Sequence, residues 1–499
     1  MAAIITEKFR AHNATQFYES FSEASANTYY LFVGKATPFT SGTTGGTDAV
    51  PPTPADSVGD EFYYWDDMLA AKKIATSDIT YSIARRNWAN STTYDMYKHD
   101  ISASSTSTSG ATSLYTSTFY FMTSDYRVYK VLDNNAGTAY SGSEPTSTSS
   151  APHALGGYVL QYMYSITSSE VEKFLTTDFM PVSTDTTVST AASDGAIDSL
   201  SIIAGSGYTA GTYYAAVYGD GASAGTSSGA IINITISSGG SVALFGLTAG
   251  TDTTVHAAGA GYTYGTVNLT ADYTFSDTSL SSASNVGGSG GAINVIISPK
   301  SGHGYNAVTE LGGHYVMLNT SLTQAEGDDF TTANDFRRVG LLVDPYNYGT
   351  TTVASASTRR QTSALKLTSV TGTFDPDEKI SQASTGAIGK VVEWDATNTI
   401  LYYTQEQYGD YGTATASGAL IAFSGANQVT GATSAATGTP DAAADSSVTL
   451  TGGATITFTD GYANPELAQN SGNIVYIENR KPISRASDQT EDIKLIVEF

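Results

Sequence analysis

SGNIVYIENRKPISRASDQTEDIKLIVEF, residues 471–499, holds two apolar runs around a connection dense in charge. In NIVYIE, Ile474 and Tyr476 alternate with Val475 and Ile477; in IKLIVEF, Ile493, Leu495, Val497 and Phe499 make one apolar face. Alternation with period two is the mark of a strand. The spacing predicts two strands of one sheet, joined by a charged loop of about fourteen residues, a length that is usually functional or disordered. Asp488 with Glu491 would cap a short turn of helix in it. Only 14% of the chain is charged, so a gathering of Arg480, Lys481, Arg485, Asp488, Glu491 and Asp492 calls for a role. One reading is a solvated surface loop. The sharper one is an interface, whose arginines make bidentate contacts with acidic neighbours.

Composition narrows the classes. The chain has 499 residues, which suggests roughly three domains and a core that needs no staples. It has no cysteine, which excludes disulfides, zinc–thiolate sites and cysteine nucleophiles and suits assembly in a reducing cytoplasm. The opening MAAIITEKFRAHNATQF meets charge before any apolar run and does not read as a secretory signal. No stretch approaches the ~18 apolar residues of a membrane span. A net charge of −24 repels phosphate backbones and anionic lipid, and no basic run exceeds two residues; neither nucleic acid nor membrane insertion is expected. The 49 Gly and 33 Tyr beside long Ser/Thr tracts point to a mainly β protein with a few short helices.

Along the chain the character changes twice. Residues 1–185 mix helix and strand. Asn13 would cap a helix with Gln16 behind it, placing Phe17 and Phe21 on one face. SVGDEFYYWDDMLAAKK predicts a helix with Asp60 and Glu61 in its first turn, Lys72 and Lys73 in its last, and Phe62, Trp65 and Leu69 facing the core. TYYLFVGKATPF, FYFMTSDYRVYKVLD and GYVLQYMYSI read as strands. TSSEVEKFL reads as a short helix capped by Ser168 or Ser169. Residues 186–309 lose nearly all charge and carry recurring phrases: GSGYTAGTYY (205–214), GAGYTYGTVNL (259–269) and the weaker GHGYNAVTE (302–310); then GAIINITIS (229–237) and GAINVIIS (291–298). These imply duplicated β-units. Residues 310–350 resume the mixed, more charged character of 1–185. Residues 351–460 form a second low-charge segment, the pattern of a small barrel or sandwich. Residues 461–499 close the framework.

Alongside these patterns there is a family resemblance. YIENRKPISRASDQTEDIKLIVEF resembles, nearly position for position, the C-terminal end of the baseplate wedge subunit family of T-even-like contractile-tailed bacteriophages. IITEKFRAHNATQFYESF, VGKATPF, PPTPADSV, IARRNWAN, YRVYKVLD, GYVLQYMYSI and NDFRRVGLLVDP follow the family in order, over about half of the chain. The resemblance implies a structural virion protein of the tail baseplate: mostly β, homodimeric, and held among other wedge proteins. It implies a multi-domain, β-sandwich-like framework, here interrupted by two inserted β-modules. The interface candidates are Arg85, Arg86 and Trp88 of IARRNWAN, Arg337 and Arg338 of NDFRRVG, and Arg480, Arg485, Asp488 and Glu491 of the closing stretch.

Catalytic signatures are missing. The six histidines are scattered with no local metal-binding pair. There is no G-x-S-x-G elbow, P-loop or H-E-x-x-H. DPDE at Asp375 brings three carboxylates together, and Pro376 makes it a turn before it is a calcium site. The expectation is no enzyme, no cofactor and no metal. The alternative to a scaffold is a virion surface adhesin that contacts a host-surface glycan through the inserted segments.

Overall fold

The computed structural model describes residues 4–23, 25–39, 46–243, 254–284, 286–322, 335–406, 412, 415, 419–483 and 490–499. The fold is mainly β, with five short α-helices among the described residues. Two compact units are present: Met1–Tyr18, Thr80–Met317 and Ile496–Phe499 form the first, Glu19–Ile79 and Leu318–Leu495 the second.

In the first unit the opening helix is Glu7–Glu19. It starts ahead of the expected position. Thr6 accepts the amide of Phe9 on its hydroxyl, which leaves Asn13 in mid-helix. Phe17 packs on Phe499 at 5.3 Å; Phe21 lies past the helix end and stacks on Tyr29 at 4.0 Å, so the two do not share a helical face. A four-stranded sheet runs Tyr120–Met122, Arg127–Asp133, Tyr158–Ser165, His153–Leu155. Its tyrosines 129, 158, 162 and 164 sit in one buried cluster with Phe119 and Phe121. The helix Ser168–Phe174 is capped by Thr167, with Glu170 completing the capping box, one residue ahead of the predicted cap.

The first low-charge segment folds as a six-stranded sheet with an internal pattern. Its spatial order is 254–257, 231–236, 211–219, 265–267, 287–296, 199–208. Written as first, second and third strands of two consecutive units, that order is palindromic about the 211–219/265–267 contact. The outer strands are exchanged: each unit's first strand pairs with the other unit's third. The repeated phrases explain the exchange. Tyr208 of the first GYT accepts the amide of Gly291 (2.8 Å), and Tyr262 of the second accepts that of Ala230 (3.0 Å). Thus each GYT tyrosine locks onto the GAI phrase of the other unit. The third phrase, 302–310, forms no such unit and leads into the helix Ala307–Leu311.

In the second unit a five-stranded sheet runs Thr358–Arg360, Met68–Lys73, Tyr29–Gly34, Phe336–Val343, Asn473–Ile483. The predicted helix through Lys73 is cut short. Ser57 caps a helix Val58–Asp66 whose first turn holds Asp60 and Glu61, but Leu69, Lys72 and Lys73 lie on the strand that follows. Phe62, expected in the core, is 38% exposed, while Trp65 and Leu69 are buried. The second low-charge segment closes on itself. Strands 400–404, 387–395, 379–382, 429–431, 437–440 and 363–371 follow in order, and 363–371 pairs back to 400–404. This is a barrel, around Leu365, Ile380, Val391, Leu401 and Val429. DPDE is its turn: Glu378 accepts the amides of Asp375, Thr433 and Ser434 and the Ser434 hydroxyl. Burial opposes ionisation of that carboxyl, and these four bonds together lower its pKa.

The closing stretch departs from expectation. Asn473–Ile483 is one strand of eleven residues, so Arg480 and Lys481 belong to a strand; residues 484–489 lie outside the described residues. The last strand, Glu491–Glu498, lies in a different sheet, beside Tyr315–Leu322. Glu491 opens this strand; Asp488, expected to cap a helical turn with it, lies outside the described residues. Ile493 and Leu495 are buried as the alternation requires.

Candidate functional site: arginines and buried charges of the framework

In the second unit, Arg337 and Arg338 stand side by side on the central strand Phe336–Val343, and alternation sends them to opposite faces. Arg337 makes a bidentate pair with Asp48, Nε to Oδ1 at 2.9 Å and Nη2 to Oδ2 at 3.0 Å. That guanidinium holds the Asp48 carboxyl below its usual range. Its Nη1 also donates to the Ala36 carbonyl. Arg338 places Nη1 2.6 and 2.7 Å from the Asp67 oxygens, donates from Nε to Asn479 at 3.0 Å, and lies 4.5 Å over the Tyr64 ring. Asn479 in turn donates to the Pro52 carbonyl at 3.0 Å, and Tyr64 donates to that of Ala55 at 2.6 Å. These groups line a cavity of about 220 Å³ with Lys35 and Glu406.

VGKATPF, PPTPADSV, NDFRRVGLLVDP and YIENRKP, far apart in the chain, therefore meet around two buried arginines. Sequence reasoning picked the arginines and missed their partners. Asp48, Asp67 and Asn479 sit in unrelated local patterns, and only the sheet order brings them to the guanidinium groups.

The other candidates are distributed. Arg85, in the first unit, donates to Asn87 (2.9 Å) and to the Thr176 carbonyl (2.7 Å). Arg86 lies 4.3 Å over the Tyr120 ring and donates to the Tyr115 carbonyl; burial lowers its pKa. Trp88 meets Tyr140 edge-on at 5.8 Å. Arg480 is half-buried on the 473–483 strand. That strand ends its sheet, so its outer edge has no strand partner among the described residues. Glu491 opens the last strand, half-buried. Arg485 and Asp488 lie outside the described residues.

A second buried charge group in the first unit went unforeseen. Lys130, on the strand Arg127–Asp133, has no exposed side-chain surface. Its Nζ is 2.7 Å from Glu310 Oε2 and 2.7 Å from His303 Nδ1, and 4.3 Å over the Tyr97 ring. Glu310 also accepts the amides of Gly304 and Asn306. Burial, and next the adjacent ammonium, hold His303 well below the ordinary imidazole range. Among the described residues, no three metal-ligating side chains are grouped to hold an ion, and no helix is long and apolar enough to cross a membrane.

Comparison with known proteins finds likeness in two terminal parts of the chain. Residues 3–150 and 443–499 match the family model described as Phage-Gp8, bacteriophage T4 Gp8. One curated relative, the baseplate wedge protein gp8 of Enterobacteria phage T4, is 32% identical over 96 residues, 19% of this chain and 28% of that protein. GYVLQYMYSI and NDFRRVGLLVDP fall outside the matched residues. Their strands nevertheless pair with matched ones: Tyr158–Ser165 with Arg127–Asp133, and Phe336–Val343 with both Tyr29–Gly34 and Asn473–Ile483. Through its two terminal parts, this chain resembles the family of bacteriophage T4 Gp8.

Proposed function

We propose that this chain is a non-catalytic structural subunit of a phage tail baseplate wedge, which holds neighbouring wedge proteins together around the tip of a contractile tail. The observation that carries this reading is the match at both chain ends, completed by unmatched strands that fill the same sheets. Residues 186–309 and 351–460 are, on this reading, modules inserted into the framework, which comprises 1–185, 310–350 and 461–499. The subunit is made and assembled in the host cytoplasm and acts in the virion. Purified tail baseplates should contain the chain at fixed stoichiometry with other wedge proteins; baseplates that assemble fully without it would refute the role.

A homodimer is part of the proposal. An edge strand of eleven residues, without a strand partner among the described residues, offers main-chain donors and acceptors to a second copy, and such edges are normally covered or blunted. Sedimentation should give about twice 52.0 kDa. A monomer at micromolar concentration would remove the dimer and leave the wedge assignment standing.

Arg337 and Arg338 already pair with Asp48 and Asp67 of this chain, and on our reading the interface arginines are Arg480 and Arg485. Replacing both with alanine should leave the melting temperature unchanged and weaken wedge assembly. Truncating one side of a buried charged contact costs about 2 to 5 kcal/mol, roughly 30-fold or more in affinity. A lowered melting temperature with normal assembly would instead assign them to the chain's own stability.

A further inference from the structure

We propose that the exposed face carrying Tyr218 and Tyr264, in the exchanged-strand module, binds a neutral glycan. The two tyrosines come from different repeat units. Tyr218 pairs with Thr266 across the ladder, and Gly219 with Gly265. Cross-strand partners emerge on one face, so Tyr218 and Thr266 share it; Tyr264 and Asp220 lie one residue beyond these strands, where Asp220 accepts the Tyr264 amide. Both rings are open to solvent, Tyr218 at 44% and Tyr264 at 60%. Two large aromatic side chains are thus presented together on the module's surface.

Tyr218 is held from behind. Its ring lies 5.9 Å from buried Tyr273, which packs on Phe275 at 5.9 Å. Gly225 approaches so closely that a Cβ there would stand 2.7 Å from the Tyr218 ring. A fixed ring loses little freedom when a ligand settles on it.

Charge selects the ligand class. Asp220 is an exposed carboxylate of this face, held by the neighbouring loop: it accepts the amides of Thr263 and Tyr264 and the Thr263 hydroxyl. It is spent on fixing the loop that presents Tyr264. What remains is two ring faces among hydroxyls, with Ser227 and Ser276 bonded to each other nearby in the module. A ring face with hydroxyl groups around it matches a pyranose, which is apolar on its C–H face and hydroxylated at its rim. A protein partner fits poorly, since a stable interface needs about 800 Å² per side and two half-open rings supply a small part of that. An anionic polymer would meet the exposed Asp220 carboxylate here and be repelled by it.

This inference is independent of the wedge assignment, which rests on the chain's terminal parts. The probes are cellohexaose, maltohexaose and chitohexaose, each mixed with the full-length chain and read by saturation-transfer difference NMR. Transfer to ring protons of at least one oligosaccharide is expected. Tyr264→Ala, at a position open enough to spare the fold, should weaken that binding about tenfold while the unfolding curve stays unchanged. Tyr305→Ala removes another tyrosine of the unit, 50% exposed and in a different segment, and should bind as the parent does. The proposal is overturned if none of the three sugars shows transfer, if Tyr264→Ala binds at parental strength, or if Tyr305→Ala loses binding equally.

Discussion

Lys130→Ala will destabilise the first unit by about 3 to 5 kcal/mol, because it strands the buried Glu310 carboxylate without its cation. The two amides that Glu310 also accepts keep the cost from rising further. Glu310→Ala should do comparable damage by stranding the ammonium. A Lys130→Met, Glu310→Gln pair removes both charges and should recover much of the loss, since an apolar replacement of a buried pair is often neutral. Denaturant unfolding followed by the fluorescence of Trp88, which lies in this unit, measures all three variants. A cost under about 1 kcal/mol for either single change would mean that water reaches the pair.

His303 adds a pH dependence to the same cluster. In the folded chain it stays neutral, accepting from Lys130. In the unfolded chain it takes up a proton below about pH 6.5. The unfolded state then binds more protons, so stability falls as pH drops below that value, by at most about 1.4 kcal/mol per pH unit. His303→Gln keeps an acceptor for Lys130 and lacks the titration. The difference between parent and variant should therefore shrink as the pH is lowered from about 7 to about 5.

Gly205→Ala and Gly259→Ala should each cost about 3 kcal/mol or more and open the exchanged-strand sheet, for one shared reason. Both glycines have left-handed backbones, φ +60° and +62°, and a Cβ at either would strike backbone of the other repeat unit: Gly291 N at 2.3 Å, Ala230 N at 2.7 Å. The left-handed conformation alone costs a side-chain-bearing residue about 1–2 kcal/mol, and a clash with main chain cannot be relieved by a rotamer change. Tyr208→Phe and Tyr262→Phe are the milder counterparts, each losing one bond worth about 1 kcal/mol. Hydrogen exchange resolves the effect: amides of 199–296 should lose protection while those of the Tyr29–Gly34 strand, in the second unit, keep theirs. Protection that survives in 199–296 would mean the strands are not locked by these contacts.

The strands of the framework were legible because each announces itself locally. YYLFVG, RVYKVLD and YVLQYMYS are dense in β-branched and aromatic residues between turn signals, and all three are strands. Helix boundaries were harder to read. DEFYYWDDMLAAKK has helical composition throughout, yet Met68–Lys73 pairs with Tyr29–Gly34, and a strand partner outweighs propensities of a few tenths of a kcal/mol per residue. The repeated phrases revealed a duplication, and the sheet turned it into an exchange, since periodicity carries no information about which copy a tyrosine will reach.

By itself the sequence determined the β class, the two changes of character, the duplicated phrases and the resemblance at both ends, all properties of composition and local order. The resemblance also placed the arginines of NDFRRVG among the interface candidates. Tertiary structure decided what they do. Arg338 reaches Asp67 across 271 positions and Arg337 reaches Asp48 across 289, pairings set by which strands lie side by side. The closing strands likewise read as one sheet and fold into two, because alternation orients side chains and leaves the choice of neighbouring strand to long-range packing.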